Sequence, residues 1–145
     1  KREIPIEEFV IGAYETSLKE GELLTQIRIP LLEQHQRTAY TKFQVHERPT
    51  LGLALLLEIP NGDKEITLAR VAVGCVSPFP QRCSEAETLM VGEQSLVEQK
   101  LDEAADILAD QAELVDDAEG GIDYKRSLIH TFLRRAYDQI IIREN

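Results

Sequence analysis

Lys42 is the residue of this chain whose type and surroundings best suit chemistry. It sits in Ala39-Tyr40-Thr41-Lys42-Phe43, among apolar and aromatic neighbours. A lysine in mid-strand has two readings. Facing water, it is an ordinary solvated side chain. Facing a ligand, it aims a fixed positive charge at a polar edge from rigid backbone. Asp116-Asp117 offers a carboxylate dyad, although adjacent acids here read first as a solvated helix end. Arg126, Arg134 and Arg135 offer an anion site, or more simply favour a helix C-terminal dipole or pair with an acidic helix.

Other chemistries find no support. His35, His46 and His130 fall in no metal-ligand spacing. No Gly-x-Ser-x-Gly elbow and no nucleophile–base pair is legible. Gly120-Gly121 follows a helical pattern, so it does not form a phosphate cradle between a strand and a helix. Two cysteines, Cys75 and Cys83, are too few to ligate an iron–sulfur cluster alone. They could pair, but without an export signal the expectation is free thiols in the cytoplasm.

The total charge narrows the partners. The 145 residues carry 16 Lys and Arg against 26 Asp and Glu, a net charge of −10. Phosphate backbones and anionic membrane surfaces should repel such a chain. No apolar run approaches the ~20 residues that span a bilayer, so no membrane insertion is expected. The acidity is local: residues 83–123 hold thirteen acids and one lysine, Lys100. The rest is nearly balanced. The opening Lys1-Arg2-Glu3 without an initiating Met suggests a fragment or a processed piece.

These side chains need elements to hold them. The first half has strand character. Glu22–Pro30, Arg37–Val45, Leu51–Ile59 and Ile66–Val76 form four candidate strands. In the second of these, Ala39, Thr41, Phe43 and Val45 lie on one side, and Tyr40, Lys42 and Gln44 on the other. Pro60-Asn61-Gly62-Asp63 is a hairpin signal. Before them, Glu7–Ile11 suits a helical turn, and Tyr14-Glu15-Thr16 looks extended.

The second half has helical character. Ser84–Val91 is a short helix with Ser84 as N-cap and Glu87 three residues on. Ser95 caps the next, with a stripe of Val97, Leu101, Ala104, Ala105, Leu108 and Ala112. Asp123 caps the last, with a stripe running from Tyr124 and Leu128 through Phe132 and Tyr137 to Ile140. Strands followed by helices predict an α+β sandwich, with a three- to four-stranded antiparallel sheet covered on one face by three helices.

A set of short segments adds a resemblance. They are Ile4-Pro5-Ile6-Glu7-Glu8-Phe9, Tyr14-Glu15-Thr16, Gly21-Glu22-Leu23-Leu24 and Ile27-Arg28-Ile29-Pro30. Ala39-Tyr40-Thr41-Lys42-Phe43, Glu47-Arg48-Pro49 and Val71-Ala72-Val73-Gly74 follow. Val76-Ser77-Pro78-Phe79-Pro80-Gln81-Arg82, Tyr124-Lys125-Arg126 and Arg134-Arg135-Ala136 complete the series. In this order they resemble the C-terminal part of the FAD-binding, or medium, subunit of molybdenum hydroxylases. That family includes carbon monoxide dehydrogenase and xanthine dehydrogenase.

The resemblance implies an α+β C-terminal domain over residues 31–145, preceded by the tail of an FAD-binding region over residues 1–30. It implies FAD in the complete subunit. Partners would be the missing N-terminal half and the molybdenum and iron–sulfur subunits or domains. In such enzymes electrons pass from molybdenum through iron–sulfur clusters to the flavin, and on to NAD, a quinone or oxygen. The resemblance places Lys42 near the polar edge of the flavin and Leu23 near its ring. The family's Gly-rich phosphate loops lie upstream of residue 1, so this piece alone should bind little FAD and be inactive in isolation. Acidic residues are common in the family where this chain has Pro49-Thr50-Leu51. The rival expectation is a non-catalytic acidic module for protein interaction or dimerisation.

Overall fold

The computed structural model describes residues 1–45, 47–60 and 64–142. His46 and the Asn61-Gly62 turn lie outside the described residues. In chain order the elements begin with α1 (Ile6–Phe9), β1 (Val10–Gly12), β2 (Glu15–Thr16), β3 (Gln36–Gln44) and β4 (Pro49–Glu58). β5 (Glu65–Ile66), β6 (Leu68–Gly74), β7 (Gln81–Arg82) and α2 (Ser84–Leu89) follow. β8 (Gly92–Glu93), α3 (Gln94–Gln111) and α4 (Ile122–Ile142) complete the chain.

The main sheet runs β3-β4-β6-β7, antiparallel throughout. Its central strand β4 explains the core. Leu51, Leu53, Leu55 and Leu57 point to one side and are 1% exposed or less. Val71 and Val73 of β6 join them, and so does Phe43 of β3, whose ring stacks against Phe132 of α4 at 5.3 Å. α4 crosses β3 and β4, α2 packs on β6, and α3 packs on both helices. The expected α+β sandwich is the fold observed.

Several local expectations change. Glu22–Pro30 forms no strand. Leu23, Ile27 and Ile29 are 84%, 71% and 82% exposed, and no neighbouring strand supplies the ladder that an extended segment needs. An ion pair ties this arm instead. Arg2 donates to both carboxylate oxygens of Glu22, at 2.9 and 2.7 Å, and to the Ser17 carbonyl at 2.7 Å. The hydrogen bonds from Arg2 hold the Glu22 carboxyl down at about 2. The helical turn forms over Ile6–Phe9, with Val10 and Ile11 in β1 instead, and of the expected extended Tyr14-Glu15-Thr16 only Glu15–Thr16 is strand, Tyr14 standing at φ 60°.

The caps also shift. Cys83, not Ser84, precedes α2, and its Sγ accepts from the Ala86 N–H at 3.4 Å. Glu93, not Ser95, precedes α3. Asp123 lies inside α4 rather than before it. Tyr124, expected on the core stripe, is 44% exposed, while Lys125 is fully buried. The Lys125 ammonium donates to the Val115 carbonyl at 2.7 Å and pairs with Asp117 at 2.8 Å. It thereby pins the turn that joins α3 to α4. Val45, expected on the same side of the strand as Ala39, Thr41 and Phe43, lies past the end of β3 and is 61% exposed.

Candidate functional site

The face of the sheet turned away from the helices holds the candidate site. Its floor comes from an alternation hidden inside apolar strands. β4 puts leucines inward and Gly52, Ala54 and Leu56 outward. β6 puts Val71 and Val73 inward and Ala72 and Gly74 outward. Strand register then aligns the small residues in rows. Lys42 lies opposite Gly52, which lies opposite Gly74. Tyr40, Ala54, Ala72 and Arg82 form the next row across all four strands. The centre of the face is therefore nearly bare of side chains and bounded by larger ones.

The rim is built from both edges. On the β3 side the Tyr40 hydroxyl leans over Gly52, 3.4 Å from where a β-carbon would stand. On the far side Pro80 lies 3.5 Å from the equivalent point above Gly74. Over the neighbouring rows a shallow concavity of about 180 Å³ is lined by Tyr40, Ala54, Leu56, Ala72, Arg70 and Arg82. That is below the ~300 Å³ of ordinary ligand pockets, so the concavity does not enclose a ligand by itself.

Lys42 stands on this outer face, exposed, and makes no hydrogen bond or ion pair among the described residues. Leu23 is elsewhere. It lines a separate cavity of about 850 Å³ within residues 1–28, along with Ile4, Phe9, Leu24 and Ile27. The two residues share neither concavity.

One polar cluster at the rim was not read from the sequence. Glu87, expected to complete a capping box, is 4% exposed and turns toward the sheet. Its Oε1 accepts from the Val71 N–H at 3.1 Å and from Arg82 Nε at 2.9 Å. Its Oε2 accepts from Arg82 Nη2 at 2.8 Å and from Arg70 Nη1 at 3.3 Å. Burial alone would push this carboxyl up. The Arg82 hydrogen bonds and the Val71 N–H outweigh it and hold Glu87 below the usual range. Glu87 in turn holds the Arg82 guanidinium above its ordinary value.

The other sequence candidates resolve as structure. Asp117 pairs with Lys125, whose hydrogen bond lowers its carboxyl, while Asp116 is exposed, so they form no dyad. Arg126 pairs with Asp110 and Asp106, and Arg134 with Asp102, which is the expected pairing with the acidic helix. Arg135 instead lies over the Phe132 ring at 5.1 Å. Cys75 is exposed, Cys83 is buried, and both are free.

A signal for the bare floor was present in the sequence. It is an alternation of size within Leu51-Gly52-Leu53-Ala54-Leu55 and Val71-Ala72-Val73-Gly74, which a purely apolar reading of the strands overlooks.

Comparison with known proteins follows this geometry. The model of the CO dehydrogenase flavoprotein C-terminal domain matches residues 39–140. The carbon monoxide dehydrogenase medium chain of Hydrogenophaga pseudoflava is 26% identical over 138 residues, covering 94% of this chain and 47% of that one. The corresponding chain of Afipia carboxidovorans is 29% identical over 140 residues, covering 95% and 48%. The nicotine 6-hydroxylase medium subunit of Paenarthrobacter nicotinovorans is 26% identical, covering 93% and 47%. A crystal structure of Cu,Mo-CO dehydrogenase superposes with a TM-score of 0.81 at 26% identity, covering 92% of this chain and 46% of that one. The chain thus spans about half the length of the relatives it matches.

Proposed function

Because the chain belongs to the CO dehydrogenase flavoprotein C-terminal domain family, we propose that it is the flavin-walling half of the FAD-binding subunit of a molybdenum hydroxylase. The observation that carries the reading is the small-residue floor of Ala54 and Ala72 on the outer sheet face, flanked by Tyr40 over Gly52 and Pro80 over Gly74. A planar ring system needs such a floor, because any side chain there would hold the ring off the backbone. When bound, the flavin supplies the redox chemistry.

This chain's residues supply position and charge. Lys42 presents a cation from a strand paired along its length with β4. A cation beside a ring that gains negative charge stabilises that charge most when fixed in advance. Tyr40 bounds the floor on the same edge. Leu23 acts from the arm, whose exposed apolar side chains await cover. We assign residues 1–30 to the FAD-binding region and residues 31–145 to the C-terminal domain.

The relatives are medium chains or subunits of larger enzymes, and we place this chain in such an assembly with molybdenum and iron–sulfur partners. No helix among the described residues is long and apolar enough to cross a membrane. We place the assembly in the cytoplasm. The test is expression with the residues encoded upstream. The complete subunit should purify yellow with bound FAD, and the 145-residue chain should stay colourless. A complete, folded subunit that takes up no flavin overturns the reading.

A further inference from the structure

The cluster around Glu87 holds more positive charge than its structural work requires. Its carboxylate is already matched by Arg82, which donates through Nε and Nη2, and by the Val71 N–H. One guanidinium neutralises one carboxylate. Arg70 is a second guanidinium, reaching the same oxygen at 3.3 Å. The hydrogen-bonded cluster therefore has one guanidinium more than carboxylates, with the Glu7 carboxylate also near enough to act on Arg82. Both arginine side chains are about half exposed, at 50% and 49%, and both line the concavity over Ala54 and Ala72. Arg82 Nη1 and Arg70 Nε and Nη2 make no hydrogen bond among the described residues. An arginine fork with spare donors matches the oxygens of a phosphate.

We propose that Arg70 and Arg82, steadied by Glu87, form an anion-binding rim that takes a phosphate group of a nucleotide lying across the outer sheet face. The inference rests on reading that face as a flavin wall. Register supplies the geometry. Arg82 is the cross-strand partner of Ala72, so the fork stands in the same row as the centre of the bare floor. Arg70 stands one row along, opposite Leu56. A floor for a planar ring beside a fork for an oxyanion matches the two parts of a nucleotide. The family's FAD-phosphate loops lie upstream of residue 1, so the phosphate is that of a nucleotide electron acceptor meeting the flavin on this face. Glu87 is a positioning residue, since it acts only through the guanidiniums it holds.

The experiment uses the complete FAD-bearing subunit with Arg70→Met. This variant leaves Glu87 paired with Arg82, so the fold should persist, and an unchanged melting curve checks it. ADP serves as the probe. Its Kd should rise about tenfold on loss of one charged, forked contact. Arg70→Lys should restore only part of the affinity, because lysine keeps the charge without the fork. A Kd of FAD that rises together with that of ADP would overturn the assignment to an acceptor. If FAD stays bound while ADP weakens, the phosphate belongs to the acceptor. An ADP Kd and an FAD Kd both unchanged in Arg70→Met and in the Arg70→Met/Arg82→Met double variant overturn the inference. The wall reading is judged separately by Ala54→Phe, which fills the floor from β4 and is the cross-strand partner of neither arginine. Loss of FAD from that variant keeps the wall reading even if the arginine variants bind normally.

Discussion

The Glu87 carboxylate accepts a hydrogen bond from the Val71 backbone N–H at 3.1 Å, so a helix side chain extends a β-ladder. β7 pairs with β6 only at Ala72 and Val73 and then turns into α2. The next N–H along β6 would be left without a partner. Glu87 fills that gap, and Arg82 and Arg70 compensate the charge that this buries.

Glu87→Leu should therefore destabilise the fold by roughly 3 kcal/mol, because it strands the Val71 N–H and leaves two cations facing an apolar group. Glu87→Gln should cost less, since the amide oxygen still reaches Val71. The pH dependence has a definite sign. The folded carboxyl lies below its ordinary value, so its contribution is complete above the unfolded glutamate range. It is lost as pH falls through the lower, folded value. Acid titration of melting temperature should show a steeper loss in the wild type than in Glu87→Gln. Parallel curves would rule out this role.

Lys125 sets a second test. Its ammonium is fully buried against the Val115 carbonyl and Asp117. Lys125→Ala should cost about 3 kcal/mol, through both a cavity and a lost charge-assisted bond. Lys125→Met should cost less, because methionine refills most of the volume and the exposed Asp117 rehydrates. Amide exchange over residues 112–121 should accelerate in both variants. If exchange rises instead across the whole chain in step with global stability, the pinning role is wrong.

Most of the architecture was legible because it depends on patterning. Two-residue alternation marked β3, and the three-to-four spacing of Val97, Leu101, Ala104 and Leu108 marked α3. Glu22–Pro30 misled because its apolar residues promise a strand, and pairing partners are not visible in local sequence. Lys125 was hidden for a related reason: helical phase places it inward, while residue type predicts a surface position. Lys42 and Tyr40 could be placed on one face from alternation alone. The neighbours that complete the candidate site on that face, Ala72 and Arg82, are set by cross-strand register, which sequence spacing does not reveal.

The ladder between α3 and α4 should contribute little. Arg126 meets Asp110 at 2.6 Å, His130 meets Asp106 at 3.0 Å, and Arg134 meets Asp102 at 3.6 Å. These acids are 58–74% exposed, and exposed pairs are worth about 0–1 kcal/mol each. Arg134→Ala should change stability by less than about 1 kcal/mol, and 1 M salt should remove the difference. A larger, salt-resistant loss would mean that the ladder carries more of the helix packing than its exposure allows.

Lys42→Met tests the charge assigned to the flavin edge. The side chain is exposed and unpaired among the described residues, so folding should not change. In the complete subunit the flavin midpoint potential should fall, because the oxidised ring loses less than the more negative reduced ring when a cation is removed. Lys42→Arg should keep most of the potential. Equal potentials in wild type and Lys42→Met would remove Lys42 from the site.

Ala72 and its neighbour Val73 separate the two faces of one strand. Val73 is 1% exposed in the core, so Val73→Ala should cost on the order of 1–3 kcal/mol through lost burial and an unfilled gap. Ala72 points the other way, over the bare floor. Ala72→Phe adds a bulky group that suits a strand, so melting should hold steady or rise slightly. The same change should expel the flavin, because the ring cannot approach the backbone through a phenyl group. FAD content of the purified complete subunit should fall at least about tenfold in Ala72→Phe and remain near wild type in Val73→Ala. The opposite pattern, with flavin lost from the core variant and kept in the floor variant, would mean that FAD binding follows overall stability and not the outer face.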